Sequence, residues 1–188
     1  LYFHLLSAAG SVEIIGHRIV WTLGTCLALI AARRRWASLA RVCRTPRLLG
    51  ALTVCGLLVS VNWLVYVYGV NTARTADAAL GYFINPLVTV ALASLVLRER
   101  LRPVHRVSIV LASAAVALLV VLQGSLPWIS LALAFSFALY GLVKKRIGPD
   151  VDALTGLTVE SAVVAPIALA YLSCLAWQGQ SAWQAPDQ

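Results

Sequence analysis

The sequence predicts an all-α polytopic membrane protein, a helical bundle with six membrane-crossing segments. Three observations predict it. Hydrophobic residues make up 61% of the 188 residues and charged residues only 12%, whereas soluble domains carry roughly 45–50% apolar and about 25% charged residues. The apolar residues gather in long runs that, at 1.5 Å rise per residue, cross a hydrocarbon core of about 30 Å. The basic residues are clustered between the runs: Arg33, Arg34, Arg35, Arg41, Arg44 and Arg47; then Arg98, Arg100, Arg102 and Arg106; then Lys144, Lys145 and Arg146, with only Arg18 and Arg74 elsewhere.

The predicted spans are 12–32, 48–70, 75–97, 104–122, 126–143 and 153–177. Ser11 is placed to N-cap the first, and Pro46 precedes the second. Thr75 is placed to cap the third, with Asp77 in its first turn, where the positive end of the helix dipole favours a carboxylate. Pro103 and Pro127 open the fourth and fifth, where a missing N–H costs nothing, and Gly148-Pro149 closes the fifth. Pro166 is expected to bend the sixth and free the carbonyl of Ala162. Trp36, Trp128 and Trp177 fall at expected interfaces, as an aromatic belt requires. Ser108, Ala112, Ser113, Ala114, Ala115 and Ala117 give the fourth span a close-packing face.

The connections at 71–74 and 123–125 are short and almost uncharged, while the loops at 33–47, 98–106 and 144–148 carry the basic clusters. Positive loops face the cytoplasm, which orients every span in the cell's inner (plasma) membrane and sets both ends of the chain outside. With no methionine anywhere and a first apolar stretch at 1–6 that resembles the end of a span, the chain is expected to be part of a longer protein.

A formal net charge of +8 would suggest nucleic acid in a soluble protein, but here the cations mark loops that touch anionic lipid headgroups, and no basic face with interleaved aromatics exists. Cys26, Cys43, Cys55 and Cys174 lack metal-type spacing, and His4, His17 and His105 are scattered. No HExxH, phosphate loop, nucleophile elbow or cofactor motif occurs, so an integral membrane enzyme has little support.

Charges inside a bilayer need a partner or a watery cavity. Glu13 and His17, four residues apart on one face of the first span, read as a first-turn carboxylate and a structural hydrogen bond, or as cavity groups. Arg18 is too deep for easy escape to the interface, and Glu160 lies about a third of the way into the sixth span. Opposite charges at Arg18 and Glu160 give the expectation of a central pair facing one cavity, with Glu160 able to exchange a proton. On the third span Asp77, Gly81 and Asn85 recur every four residues, and Pro86 leaves the carbonyl of Tyr82 without its usual donor. That stripe lines a cavity or packs helices. Asn62 with Tyr66 and Ser136 with Tyr140 present the same two alternatives. A passive membrane subunit or scaffold is the competing function, and the buried charges count against it.

The segments Glu13-Ile-Ile-Gly-His17-Arg18, Asn62-Trp63, the run from Leu80 through Asn85-Pro86 to Leu87, and the run from Leu133 to Gly141 resemble the EamA family of the drug/metabolite transporter superfamily. Pro86 followed by Arg98-Glu99-Arg100-Leu101 is similar to the superfamily's span ending. The resemblance implies ten helices in two inverted five-helix repeats, with 1–122 as the first repeat, short of most of its first helix, and 126–188 as the start of a truncated second. Laid on each other, these repeats match the first span to the sixth and bring Arg18 at or near Glu160. It also implies a secondary transporter of small organic solutes, metabolites or drugs working by alternating access, with an ion or proton as coupling partner.

Overall fold

A computed structural model describes residues 11–97 and 127–178 with a few positions between 107 and 121. It contains α1 (Ser11–Ala32), α2 (Trp36–Arg44), α3 (Pro46–Asn71), α4 (Thr75–Leu97), α5 (Trp128–Ile147) and α6 (Ala153–Trp177). All but α2 are long and apolar enough to cross a membrane. Five of the six predicted spans thus appear as helices within a few residues of their expected ends. The span at 104–122 lies mostly outside the described residues, although the described positions there are helical. So do Pro103, the cluster at 98–106, the side chain of Ser11 and the end segments.

The helix exteriors are apolar, as a lipid-facing surface requires. Trp21 is 74% exposed, Phe83 78%, Leu95 75% and Trp177 94%, a distribution that water would penalise and hydrocarbon does not. Several hydroxyls on the spans are satisfied within their own helices: Thr53 Oγ1 donates to the Leu49 carbonyl at 2.9 Å, Ser60 Oγ to Gly56 at 2.7 Å and Thr158 Oγ1 to Leu154 at 2.7 Å.

The chain divides into two compact units, one formed by residues 1–64 with 144–188 and the other by 65–143. In the first, α1 packs along α6, and a core of Val42, Leu52, Ile147 and Val159 is flanked by Leu39, Leu48, Leu49 and Val163. Two glycines set its helix separations. A Cβ on Gly56 would stand 2.8 Å from the backbone oxygen of Glu160, so α3 and α6 touch main chain to main chain; one on Gly16 would have the Leu172 side chain as its nearest neighbour, with Cγ at 3.1 Å.

In the second unit Ala78, Ile129 and Leu133 form the core with Val65 and Tyr66 against them. Gly81 lets α4 lie on α5, since a Cβ there would be 3.0 Å from Leu133 Cβ and 3.1 Å from the Ser130 oxygen. Beside it, Ser130 Oγ donates to the Asp77 carbonyl at 2.6 Å, joining the two helices with a hydrogen bond.

Helix α2 is not among the predicted elements because nine residues carrying two arginines are too short to give a span signal; its one buried side chain is Val42. The turns after α1 and α3 close alike. Arg34 and Ala73 adopt positive φ, 52° and 57°, and in each case the next N–H reaches back five residues: Arg35 to Ile30 at 3.0 Å and Arg74 to Gly69 at 2.8 Å. This is the Schellman closure, whose left-handed position favours glycine. Ala73→Gly is therefore expected to stabilise the protein by about 1 kcal/mol, read from thermal unfolding in detergent, while Ala79→Gly inside α4 costs a similar amount.

Candidate functional site

Buried charge marks the site in the first unit. Glu160 on α6 is 2% exposed and its carboxylate accepts a 2.6 Å bond from Lys144 Nζ in the last turn of α5. The sequence places the two at one depth, since the connection centred on Asp152 is equidistant from both. The setting is tight: Gly56 lies against the Glu160 main chain, and a Cβ on Gly156 would sit 3.0 Å from Lys144 Nζ. Cys55 is buried on α3 beside Gly56. An ammonium that reaches a buried carboxylate through a glycine-walled gap compensates its charge only while the helices remain in register.

The turn below is also ordered by charge. Asp152 caps α6, accepting from Thr155 N at 3.1 Å and Thr155 Oγ1 at 2.7 Å, with Arg35 Nη1 at 3.6 Å. Burial pushes the Asp152 carboxyl up, but the Thr155 bonds and the Arg35 guanidinium outweigh it and hold the group below the ordinary aspartate range. A polar cleft of about 360 Å³ opens here, lined by Ser38, Arg41, Val42 and residues 148–152.

Arg18 is placed elsewhere. Its guanidinium carbon lies 3.3 Å from the centroid of the Trp63 ring on α3, a cation–π contact that shelters the charge at the protein surface. The expected pairing of Arg18 with Glu160 is corrected by the helix register. Gly16 meets Leu172, which is twelve residues from Glu160, so Arg18 and Glu160 are separated along the helix axes by at least about 15 Å. That exceeds the combined reach of the two side chains; equivalence between repeats relates positions by topology, not by contact. Glu13 is 3% exposed and Asn62 5%, and His17 is half-buried.

The remaining candidates belong to the second unit. Tyr66 and Tyr82 meet edge to face, centroids 5.9 Å apart at 74°. Asn85 Oδ1 accepts from Thr89 Oγ1 at 3.1 Å along α4, and α4 continues through Pro86. Gly81 is occupied by its contact with α5, and Tyr140 lies 5.8 Å from Phe137. At one end of the unit Arg74 holds Asp77, Nε to Oδ2 at 2.8 Å, with Trp128 beneath it at 6.0 Å. An apolar groove of about 320 Å³ runs past Ile84, Val88, Ser113 and Phe135.

Lys144 is the residue that sequence reasoning missed. It was assigned to a loop cluster because the fifth span was expected to end at 143, whereas α5 continues to Ile147. Trp63 was noted only within a motif. Among the described residues no group of three or more His, Cys, Asp or Glu is placed to hold a metal.

Apolar helix exteriors, self-satisfied hydroxyls and a buried carboxylate–ammonium pair define a multi-pass helical membrane protein. Residues 2–121 match the EamA-like transporter family, and the chain belongs to that family. It is similar to protein RarD of Streptomyces exfoliatus, 44% identical over 98% of this chain and 58% of the relative. An uncharacterized transporter of Vibrio cholerae is 43% identical over 94% of this chain and 58% of its own length. Protein RarD of Escherichia coli (strain K12) is 39% identical over 93% and 58%. The chain thus spans somewhat over half the length of the curated relatives it matches. No solved structure matches it.

Proposed function

We propose that the chain is part of a secondary transporter of small organic solutes, metabolites or drugs, and that Glu160 exchanges a proton during its cycle. The observation that carries this reading is the Glu160–Lys144 pair, 2.6 Å apart with Glu160 almost fully buried, in a member of a transporter family. A scaffold has no need of a buried carboxylate, which is costly in a membrane. In a carrier, parting the two helices removes the counter-charge, and the carboxylate then takes up a proton, so protonation follows conformation.

The full protein is read as two inverted five-helix repeats, the second beginning at α5, that rock about a midplane site. Its basic segments at 33–47, 98–106 and 144–148 face the cytoplasm of a cell bounded by this membrane. The polar groups Glu13, His17, Arg18, Asn62, Tyr66, Tyr82, Asn85 and Tyr140 are candidates for contact with solute, and Gly81 and Pro86 for shaping the cavity wall.

The test is uptake by the full-length protein in proteoliposomes, screened over organic cations, anions and neutral solutes with and without a pH gradient. Wild-type protein is expected to accumulate a solute only under the gradient, and Glu160→Gln to lose the gradient dependence. Unchanged pH-dependent transport by Glu160→Gln removes the proton role.

A further inference from the structure

We propose that α2 is an interfacial helix whose outer face binds the headgroups of anionic phospholipids. It joins α1, which ends at Ala32, to α3, which starts at Pro46, and both are long enough to span a membrane. The nine residues of α2 are therefore held at the level where a span leaves the hydrocarbon.

The helix has two chemically distinct faces. Val42, 3% exposed, points into the core with Leu52, Ile147 and Val159, and Leu39 packs against the same cluster. On the opposite side Trp36, Ala40 and Arg44 recur every four residues and are all exposed, with Arg41 beside them. Trp36 is 52% exposed. Tryptophan prefers the headgroup level, and a helix with one apolar face and a polar face bearing arginine lies in the plane of the interface.

Charge identifies the lipid. Residues 33–47 contain Arg33, Arg34, Arg35, Arg41, Arg44 and Arg47, all exposed, and no acidic residue. Among the described residues, only Arg35 of these six reaches a carboxylate, that of Asp152 at 3.6 Å. Guanidinium groups bind phosphate oxygens in pairs. A free phosphate would use the arginines alone, whereas a lipid also meets Trp36 and Ala40, which share their face. Because α2 packs on α6, a bound headgroup would brace the end of the bundle that holds Glu160 and Lys144.

Native mass spectrometry of the full-length protein released from nanodiscs of mixed phosphatidylcholine and phosphatidylglycerol tests this. Wild-type protein is expected to retain phosphatidylglycerol over phosphatidylcholine. The double variant Arg41→Gln/Arg44→Gln should lower that preference about tenfold or more, and Arg41→Lys/Arg44→Lys should keep most of it. Equal melting temperatures for the variants in detergent would confirm that the fold is intact; if the glutamine variant misfolds, Arg44→Gln alone serves in its place. Undiminished retention by the folded glutamine variant overturns the proposal. Displacement of the lipid by soluble glycerophosphoglycerol at equal concentration also overturns it, and assigns the face to a soluble anion.

Discussion

Lys144→Met is expected to destabilise the protein by about 3 kcal/mol, measured by thermal or SDS-induced unfolding in detergent. Glu160 is 2% exposed and Lys144 Nζ supplies a 2.6 Å charge-assisted bond to it. Removing one member of a buried pair costs about 3–5 kcal/mol, because the other is left as an uncompensated charge. The lower end of that range applies here, since the Lys144 side chain is 30% exposed and water at the helix end already screens part of the interaction. The cost persists whichever way Glu160 responds. A bare carboxylate in a glycine-walled gap is poorly solvated, and a carboxyl that takes up a proton to escape that state forfeits the ammonium bond.

The double variant Lys144→Met/Glu160→Met distinguishes pair energy from packing. Replacing both partners by apolar groups of similar size is often neutral or stabilising, so it should recover most of what Lys144→Met loses. A coupling energy of about 2 kcal/mol or more identifies the pair as a structural unit. Additive losses would mean that the lysine stem, packed beside Gly156, matters more than its charge. Lys144→Arg keeps the charge but brings a planar, bulkier head against a glycine whose Cβ would lie 3.0 Å from Nζ, and a partial loss is expected.

The spans were legible because hydrocarbon selects for length and apolarity, both of which are local properties of sequence. The punctuation by Pro46, Thr75 and Gly148-Pro149 falls at helix ends for the same reason. Pairing was legible only in part. The partnership of Glu160 with Lys144 could have been found by counting outward from Asp152, because a helical hairpin brings equidistant residues to one depth. It was obscured by an expected span end four residues short, which left Lys144 in the loop. Arg18 was paired with Glu160 by topological equivalence between repeats, and no local signal reports that Gly16 lies beside Leu172. The contact of Arg18 with Trp63 depends on the register of α1 against α3, which is a property of packing. The α2 helix escaped because its amphipathic period covers only two turns, with Leu39 and Val42 as the inward residues.

Gly56→Ala is expected to cost about 2 kcal/mol or more, the largest effect of adding one methyl group to a described glycine on the spans of the first unit. The added Cβ would lie 2.8 Å from the Glu160 backbone oxygen and 3.3 Å from its carbonyl and α carbons. Side-chain rotation cannot relieve a contact with main chain, so α3 and α6 must separate, and overpacking of this kind costs about 1–3 kcal/mol. Separation also lifts Leu52 from Val159 in the core and shifts Glu160 relative to Lys144. Two glycines on α1 provide the comparison. At Gly16 the methyl's nearest neighbour would be the Leu172 side chain at 3.1 Å, which has other rotamers, so Gly16→Ala should cost less than about 1 kcal/mol. Around Gly24, among the described residues, a Cβ would meet nothing within 4 Å beyond its own helix backbone, and Gly24→Ala should stabilise slightly through helix propensity. Unfolding of the three variants in one detergent gives the order Gly24→Ala above Gly16→Ala above Gly56→Ala. Equal stability for Gly56→Ala and Gly24→Ala would mean that α3 and α6 do not touch at Glu160. Since the same contact fixes the height of the carboxylate opposite Lys144, loss of stability in Gly56→Ala should be accompanied by a smaller coupling between Lys144 and Glu160 when the double-variant cycle is repeated in its background.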